Sequence, residues 1–378
     1  MLAAGRVSIA AARTTRGTCV LEFVYTANPA RVVFGPGSLD RVAEEVARLG
    51  RGRAFVLASP SLSAERARIE VALGEAGRGT AAVGGFNGVT MHTPVEVTDE
   101  AMKVVDSVRP DCVVAVGGGS TIGLSKAIAV RTGLDQVVIP TTYAGSEVTP
   151  VLGETEGGRK TTRSSPAILP ETVIYDVELT RGLPVEVSIT SAVNAMAHAV
   201  EALYAPQANP AIDAWALRAV GLLADGVRRI AEDPSDLDMR SDLQVGAWLA
   251  ATCLGSVGMG LHHKLCHTLG GSFGLPHAAT HTIVLPHAMA YNAPAAPDAM
   301  AQVAAVLGVP DAPAGVYDLV AGAGGPLALR DLGLSAQDVP KAAEIAGSAG
   351  YPNPRELTQD GLTRLLENAW AGARPEPA

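Results

Sequence analysis

The chain is written in two textures, and the change between them constrains its fold more than any other feature. From residue 23 to about residue 181, short β-branched runs alternate with helical patterns. RVVFG (31–35), RAFVLAS (53–59), DCVVAVGGG (111–119) and DQVVIPTT (135–142) are near-continuously apolar, as strands covered on both faces must be. LDRVAEEVARLG (39–50) and SAERARIEVALGEAG (63–77) have the period of amphipathic connecting helices. Such alternation predicts a doubly wound parallel sheet with a ligand crevice at the strand carboxyl ends. After Gly182-Leu183-Pro184, long Ala/Leu-rich segments of helical period take over. The fold class predicted is therefore α/β plus all-α, with a sheet domain over 23–182 and a helical domain over 183–378. Residues 1–22 are expected to be a poorly ordered extension. Arg6 and Arg13 bracket only six residues, too few for the apolar stretch of a secretory signal.

Composition narrows the function classes. Hydrophobic residues make up 48% and charged residues 18%, enough for a large core and incompatible with global disorder. A net charge of -9 and the lack of any basic tract argue against a nucleic-acid partner. The uncharged stretch Leu243–His263 reaches membrane-span length, but it holds Gln244, Thr252, Ser256 and four glycines and has no basic flank. It reads as one buried helix, and no membrane partner is expected. Cys19, Cys112, Cys253 and Cys266 form no CxxC, so neither a disulfide framework nor a thiolate zinc site is indicated, and a cytoplasmic location fits.

Three constellations could carry chemistry. In VVAVGGGSTIGLSKAIA (113–129) a strand runs through Gly117, Gly118, Gly119 and Ser120 into a helix. Glycines let the backbone close on a pyrophosphate, and helix-start amides supply donors; a tight turn can also need glycine for steric reasons alone. In VVIPTTYAGSEVTP (137–150), Thr141, Thr142, Tyr143 and Ser146 could hold ribose, phosphate or nicotinamide, or only satisfy local backbone. Seven of the eight histidines fall between residues 198 and 287. His263 and His267 share a helix face, as do Asn194 and His198. A metal would want three or four N/O ligands, and Asn194 is a poor one.

Taken together, GGGS followed by Lys126, PTT…GSE, NAxxHAxE and HxxxH…PH resemble the iron-containing alcohol dehydrogenase family over residues 23–370. FVYTANPARVVFG, GLHHKLCHTLGG and LPHAATHTIVLPH resemble a branch that reduces the carbon–carbon double bond of an unsaturated oxo-dicarboxylate in aromatic-compound breakdown. The resemblance implies a dehydroquinate synthase-like fold: an NAD(P)-binding domain, a helical catalytic domain, an active site in the cleft, and a homodimer. It places Gly118, Gly119 and Ser120 on the cofactor pyrophosphate, Thr141 and Thr142 on the PTT motif, and Lys160 and Leu179 on further cofactor contacts. The family's metal ligands, an aspartate and three histidines, map to Asn194, His198, His263 and His277, and His267 falls near the nicotinamide.

The departures from the family pattern shape the expected chemistry. Gly123 replaces an aspartate, and Ser59 stands where a carboxylate would repel a 2′-phosphate, so both NADH and NADPH should serve. Without an acidic ligand at 194, no tightly bound metal is expected. Reduction of an enone needs stabilisation of a forming enolate, which imidazolium or ammonium donors can give. His198, His263, His267 and His277 are therefore expected to line the substrate pocket, with His267 or His263 supplying the proton. Lys264, or Arg159, Lys160 and Arg163, would offset the charge of the dicarboxylate. The rival readings are a metal-dependent alcohol or polyol dehydrogenase and a non-catalytic cofactor-binding relative.

Overall fold

Among the described residues the β-branched runs do line up side by side. The computed structural model describes residues 23–25, 27, 28, 31–75, 77–90, 93–156, 159–348 and 350–376, with all side chains except those of Arg159 and Lys160. The extension expected over 1–22 lies outside the described residues. Eight strands occur among the described residues: β1 (Arg31–Phe34), β2 (Arg53–Ala58), β3 (Ala81–Phe86), β4 (Cys112–Gly117), β5 (Asp135–Pro140), β6 (Val151–Glu156), β7 (Arg159–Ser164) and β8 (Thr172–Tyr175). Six form one sheet in the order β1-β8-β5-β4-β2-β3, and every pairing is parallel. β6 and β7 make a separate antiparallel hairpin.

Helices α1 (Val42–Arg48), α2 (Ser63–Glu75), α3 (Val95–Val108) and α4 (Gly119–Thr132) cover the sheet. Alternate residues of β4 enter different cores: Cys112, Val114 and Val116 pack on one face, Val113 and Ala115 on the other. Each fully buried valine contributes about 1.5–3 kcal/mol, which is why these strands carry no polar face. The chain runs outward from β2 to β3 and then returns to β4 on the other side of β2. The crevice of a doubly wound sheet opens at such a reversal, here between the ends of β2 and β4. Ser59 follows the first and Gly118 the second.

The helical part comprises α5 (Val185–Ala202), α6 (Pro210–Arg229), α7 (Leu237–Ser256), α8 (Leu261–Phe273), α9 (His277–Asn292), α10 (Pro297–Leu307), α11 (Ala312–Gly322), α12 (Val339–Ser348) and α13 (Gln359–Ala371). From Ser188 onward α5 is buried on every side, packed by α6, α7 and α9. An Ala-rich sequence suits such a position because it lets neighbouring helices approach closely. Asn209 and Asp236 cap α6 and α7 through their side-chain oxygens.

The single helix expected over Leu243–His263 is instead two. The chain breaks between α7 and α8, and the two axes differ by 97°. Val257 is extended, Gly258 and Gly260 lie in the break, and the new helix start is met by a buried carboxylate described below. One segment among the described residues, Pro297–Gly322, is long and apolar enough to cross a membrane; it spans α10 and α11, and half of its apolar window is buried.

Candidate active site

The glycine turn and the hydroxyl-rich loop meet at the crevice. Gly117 ends β4 with φ +153°, and a Cβ there would lie 2.4 Å from Thr121 Oγ1, so only glycine fits. Gly118 precedes the 14-residue helix α4 and offers no side-chain cap, which leaves the helix start open to an anion. Gly118, Gly119 and Ser120 are half-buried. The position of a Cβ on Gly118 is 3.1 Å from Thr142 Cγ2, and that of one on Gly119 is 3.8 Å from Ala144 Cβ. Thr141 donates its amide to the Gly117 carbonyl at 3.1 Å. The loop after β5 is held by Lys126, which is buried in α4. Its Nζ donates to the carbonyls of Ser146, Thr149 (2.8 Å) and Val151 (3.0 Å). Gly123 has its own reason: a Cβ there would lie 2.4 Å from Thr93 Oγ1, because the segment before α3 crosses α4 at that point.

One residue expected at the cofactor does something else. The Tyr143 ring is fully buried in the helical core, and its hydroxyl accepts from Arg240 Nη1 at 3.2 Å. Tyr143 is thus a core residue that anchors the loop, and it offers nothing to a ligand. Leu179 is half-buried against the sheet core, and the Lys160 side chain lies outside the described residues. The Ser146 hydroxyl is buried with no partner, close to Gly119.

The same loop delivers the crevice to the histidines. Asn194 Nδ2, on α5, donates to the Ala144 carbonyl at 3.4 Å. The space beside Gly145 is filled by His198, whose Nδ1 would be 3.4 Å from a Cβ there. From His198 the rings continue: His263 stacks on it at 5.1 Å, His267 meets His263 edge-on at 6.2 Å, and His277 stacks on His267 at 6.5 Å. His198 and His263 are buried, whereas His267 and His277 are half-open. Burial, reinforced by His263, His277 and His267, pushes the His198 pKa well below the ordinary range, so this ring is neutral.

Glu201 organises the group, and sequence reasoning gave it no role although it closes NAxxHAxE. One turn beyond His198 on α5, its buried carboxylate accepts from His262 N (2.8 Å) and Gly260 N (3.3 Å), capping α8. Its Oε2 also lies 2.6 Å from His263 Nδ1. The carboxylate can only accept, so His263 carries a hydrogen on Nδ1 and turns Nε2 the other way, where it has no partner. An acid within an otherwise apolar helical run was the available signal.

Cations fall differently from the sequence expectation. The Lys264 ammonium lies over the Tyr351 ring, 5.9 Å from its centroid, so the structure does not aim it at a carboxylate beside His267. Arg163 is paired with Glu154 at 2.6 Å and is not free for a substrate. Its strand β7 does pack against α8, which keeps Arg159 and Lys160 on an element next to the histidines.

The donor set at 194, 198, 263 and 277 lacks the charge-assisted ligand that would strengthen its hold on a divalent ion. Asn194 puts an amide where the family pattern has a carboxylate, and Glu201 stands behind His263. Among the described residues, the trio of His, Cys, Asp or Glu whose ligand atoms all lie within 4.8 Å is a different one, His262, Cys266 and His281. Asn194 Oδ1, His198 Nδ1 and His263 Nε2 are buried here without a hydrogen-bond partner, polar atoms left for a bound group to satisfy.

A glycine-cradled helix start abutting a histidine cluster is the architecture of one class of nicotinamide oxidoreductase, and sequence profiles agree. The profile for iron-containing alcohol dehydrogenase matches residues 29–177, and that for the carboxyl-terminal part of the Fe-containing alcohol dehydrogenase family matches 188–370. The chain belongs to the iron-containing alcohol dehydrogenase family and is an oxidoreductase. Within that family it is 58% identical to maleylacetate reductase 1 of Rhodococcus opacus, over 94% of this chain and 98% of that protein. It is 50% identical to the maleylacetate reductase of Rhizobium sp. over 94% and 99%. The crystal structure of maleylacetate reductase from Agrobacterium tumefaciens superposes with a TM-score of 0.89 at 50% identity, covering 94% of this chain and all of that one.

Proposed function

We propose that this protein is a maleylacetate reductase, which uses NADH or NADPH to reduce the carbon–carbon double bond of 2-maleylacetate and release 3-oxoadipate. The observation that carries the reading is the His263–Glu201 pair beside His198 and Asn194, set where the cofactor loop enters the helical domain. Similarity to the Rhodococcus, Rhizobium and Agrobacterium enzymes supports it.

The nicotinamide, when bound, supplies the hydride. Gly118, Gly119 and Ser120 at the start of α4 would hold its pyrophosphate. Hydride adds to the carbon β to the ketone, and negative charge develops on the ketone oxygen as an enolate. Neutral His198 and the Asn194 amide face that oxygen, and donors fixed in place before the reaction stabilise it most. Glu201 orients His263 through Nδ1, so that its Nε2 faces the substrate and delivers the proton to the α-carbon, and the enolate collapses to the saturated ketone. His267 and His277 line the open side and meet the dicarboxylate, with β7 alongside. No tightly bound metal takes part. The protein is expected to act as a homodimer in the cytoplasm, with β1, an edge strand of the sheet among the described residues, as the place for pairing.

Incubation of purified protein with maleylacetate and NADH is the test. Stoichiometric NADH oxidation with 3-oxoadipate as product is expected. Turnover of ethanol or a diol with NAD, and none of maleylacetate, would favour the polyol dehydrogenase reading.

A further inference from the structure

Behind the catalytic pair, where α8 packs on α9, three side chains with soft or borderline donor atoms meet in the dark of the core. His262 and Cys266 lie one turn apart on α8, and His281 comes from α9. All three are 0–1% exposed. His262 Nε2 is 3.0 Å from His281 Nδ1 and 3.8 Å from Cys266 Sγ. The three ligand atoms lie within 4.8 Å of one another. Donors bound at about 2.0–2.3 Å around one ion stand roughly 3.3–3.8 Å apart, so little movement would close this trio on a common point.

We propose that His262, Cys266 and His281 form a binding site for a monovalent soft cation, copper(I), directly behind the rings of His263 and His277. Two arguments select the ion. Thiolate with imidazole is a donor set for copper(I) or zinc rather than for hard ions. One thiolate and two neutral imidazoles are then electrically balanced by a single positive charge. A divalent ion would leave an uncompensated charge in a volume closed to water, because Glu201 already serves two amides and His263.

Binding conserves protons and electrons simply. Burial holds Cys266 as the thiol; the S–H bond breaks, its proton leaves to solvent, and an Sγ lone pair binds the ion. The hydrogen shared between His262 Nε2 and His281 Nδ1 moves to the outer nitrogen of the same ring. Each ring stays neutral, with N–H on His262 Nδ1 and His281 Nε2, atoms that have no other partner. Copper remains copper(I) throughout.

Anaerobic titration of the full-length protein with copper(I) against bicinchoninate tests the site. One equivalent bound with one proton released is expected. Cys266→Ser should weaken binding by at least about 100-fold, since even outer partners of metal ligands are worth about 10–100-fold. Cys253→Ser, in α7, should leave it unchanged. X-ray absorption of the wild-type complex needs no variant and should show one sulfur and two imidazoles on copper. Failure to outcompete the chelator, equal affinity in Cys266→Ser, or a shell with no sulfur or two sulfurs would overturn the proposal. Neither cofactor nor substrate enters this test, so its result stands apart from that of the reductase assay.

Discussion

Replacing Glu201 by Gln removes one oxygen's charge and changes almost nothing in shape, which makes it the most informative single substitution. The carboxylate holds His263 Nδ1–H at 2.6 Å and two α8 amides at 2.8 and 3.3 Å. The amide of Gln can accept from only one side. If its oxygen keeps the His262 amide, its NH2 takes the place of Oε2 and faces both the Gly260 amide and His263 Nδ1, and the ring loses the acceptor that aims its Nε2 at the substrate. A hydrogen bond to a charged group contributes about 1.5–3 kcal/mol, and about 1.4 kcal/mol is tenfold in rate. Glu201→Gln should therefore lower kcat for maleylacetate by about 10- to 150-fold with KM changed by less than about threefold. Stopped-flow NADH oxidation gives both constants, and urea unfolding gives the accompanying loss of the helix cap, about 1 kcal/mol. Because the two residues act as one unit, Glu201→Gln with His263→Gln should be no slower than His263→Gln alone. An unchanged kcat in a folded variant, or losses that simply multiply, would refute the reasoning and leave Glu201 as a cap only.

Other consequences can be checked in the same preparations. Lys264→Met should leave KM for maleylacetate within about twofold, because its ammonium lies on Tyr351; a large rise would return it to the substrate site. Ser59 follows β2 at the crevice with its hydroxyl on Ser61 (2.8 Å) and no acid of its own. NADH and NADPH should give kcat/KM values within about tenfold, and Ser59→Asp should cost NADPH about tenfold more than NADH, measured by initial rates. Burial lowers the pKa of His287 to about 4 from 6.5. A depressed folded value means its contribution is complete above the unfolded pKa and is lost as pH falls from 6.5 toward 4. Wild type should lose about 2 kcal/mol from this residue by about pH 5, and His287→Gln should show a correspondingly shallower decline in urea titrations.

Much of the architecture was legible because burial on both faces leaves a plain mark. β2, β4 and β5 carry the apolar runs AFVLA, CVVAV and VVIP, as strands covered on both faces do. β3 (AAVGGF) was not visible, since its glycines erase the run; a Cβ on Gly85 would lie 2.4 Å from the Val56 carbonyl. The β6–β7 hairpin is polar and short, and its pattern resembles a loop. At the site, glycines and histidines announced themselves by type and spacing. Direction did not. Tyr143 lies in a hydroxyl run but turns into the helical core toward Arg240, and Lys264 turns to Tyr351. Periodicity gives the face of a helix, whereas partners more than 80 residues away in sequence decide where a long side chain ends. Glu201 was passed over for a related reason: a carboxylate among alanines has meaning only once the start of α8 is known to end on it.

The account depends on imidazoles and an amide, without a bound ion, stabilising a forming enolate. The direct measurement is turnover of maleylacetate by enzyme dialysed against a strong chelator, with iron and zinc in the same sample determined by elemental analysis. Full activity at far less than one metal per chain is predicted. Activity that falls with metal content and returns in proportion to added iron or zinc would contradict it.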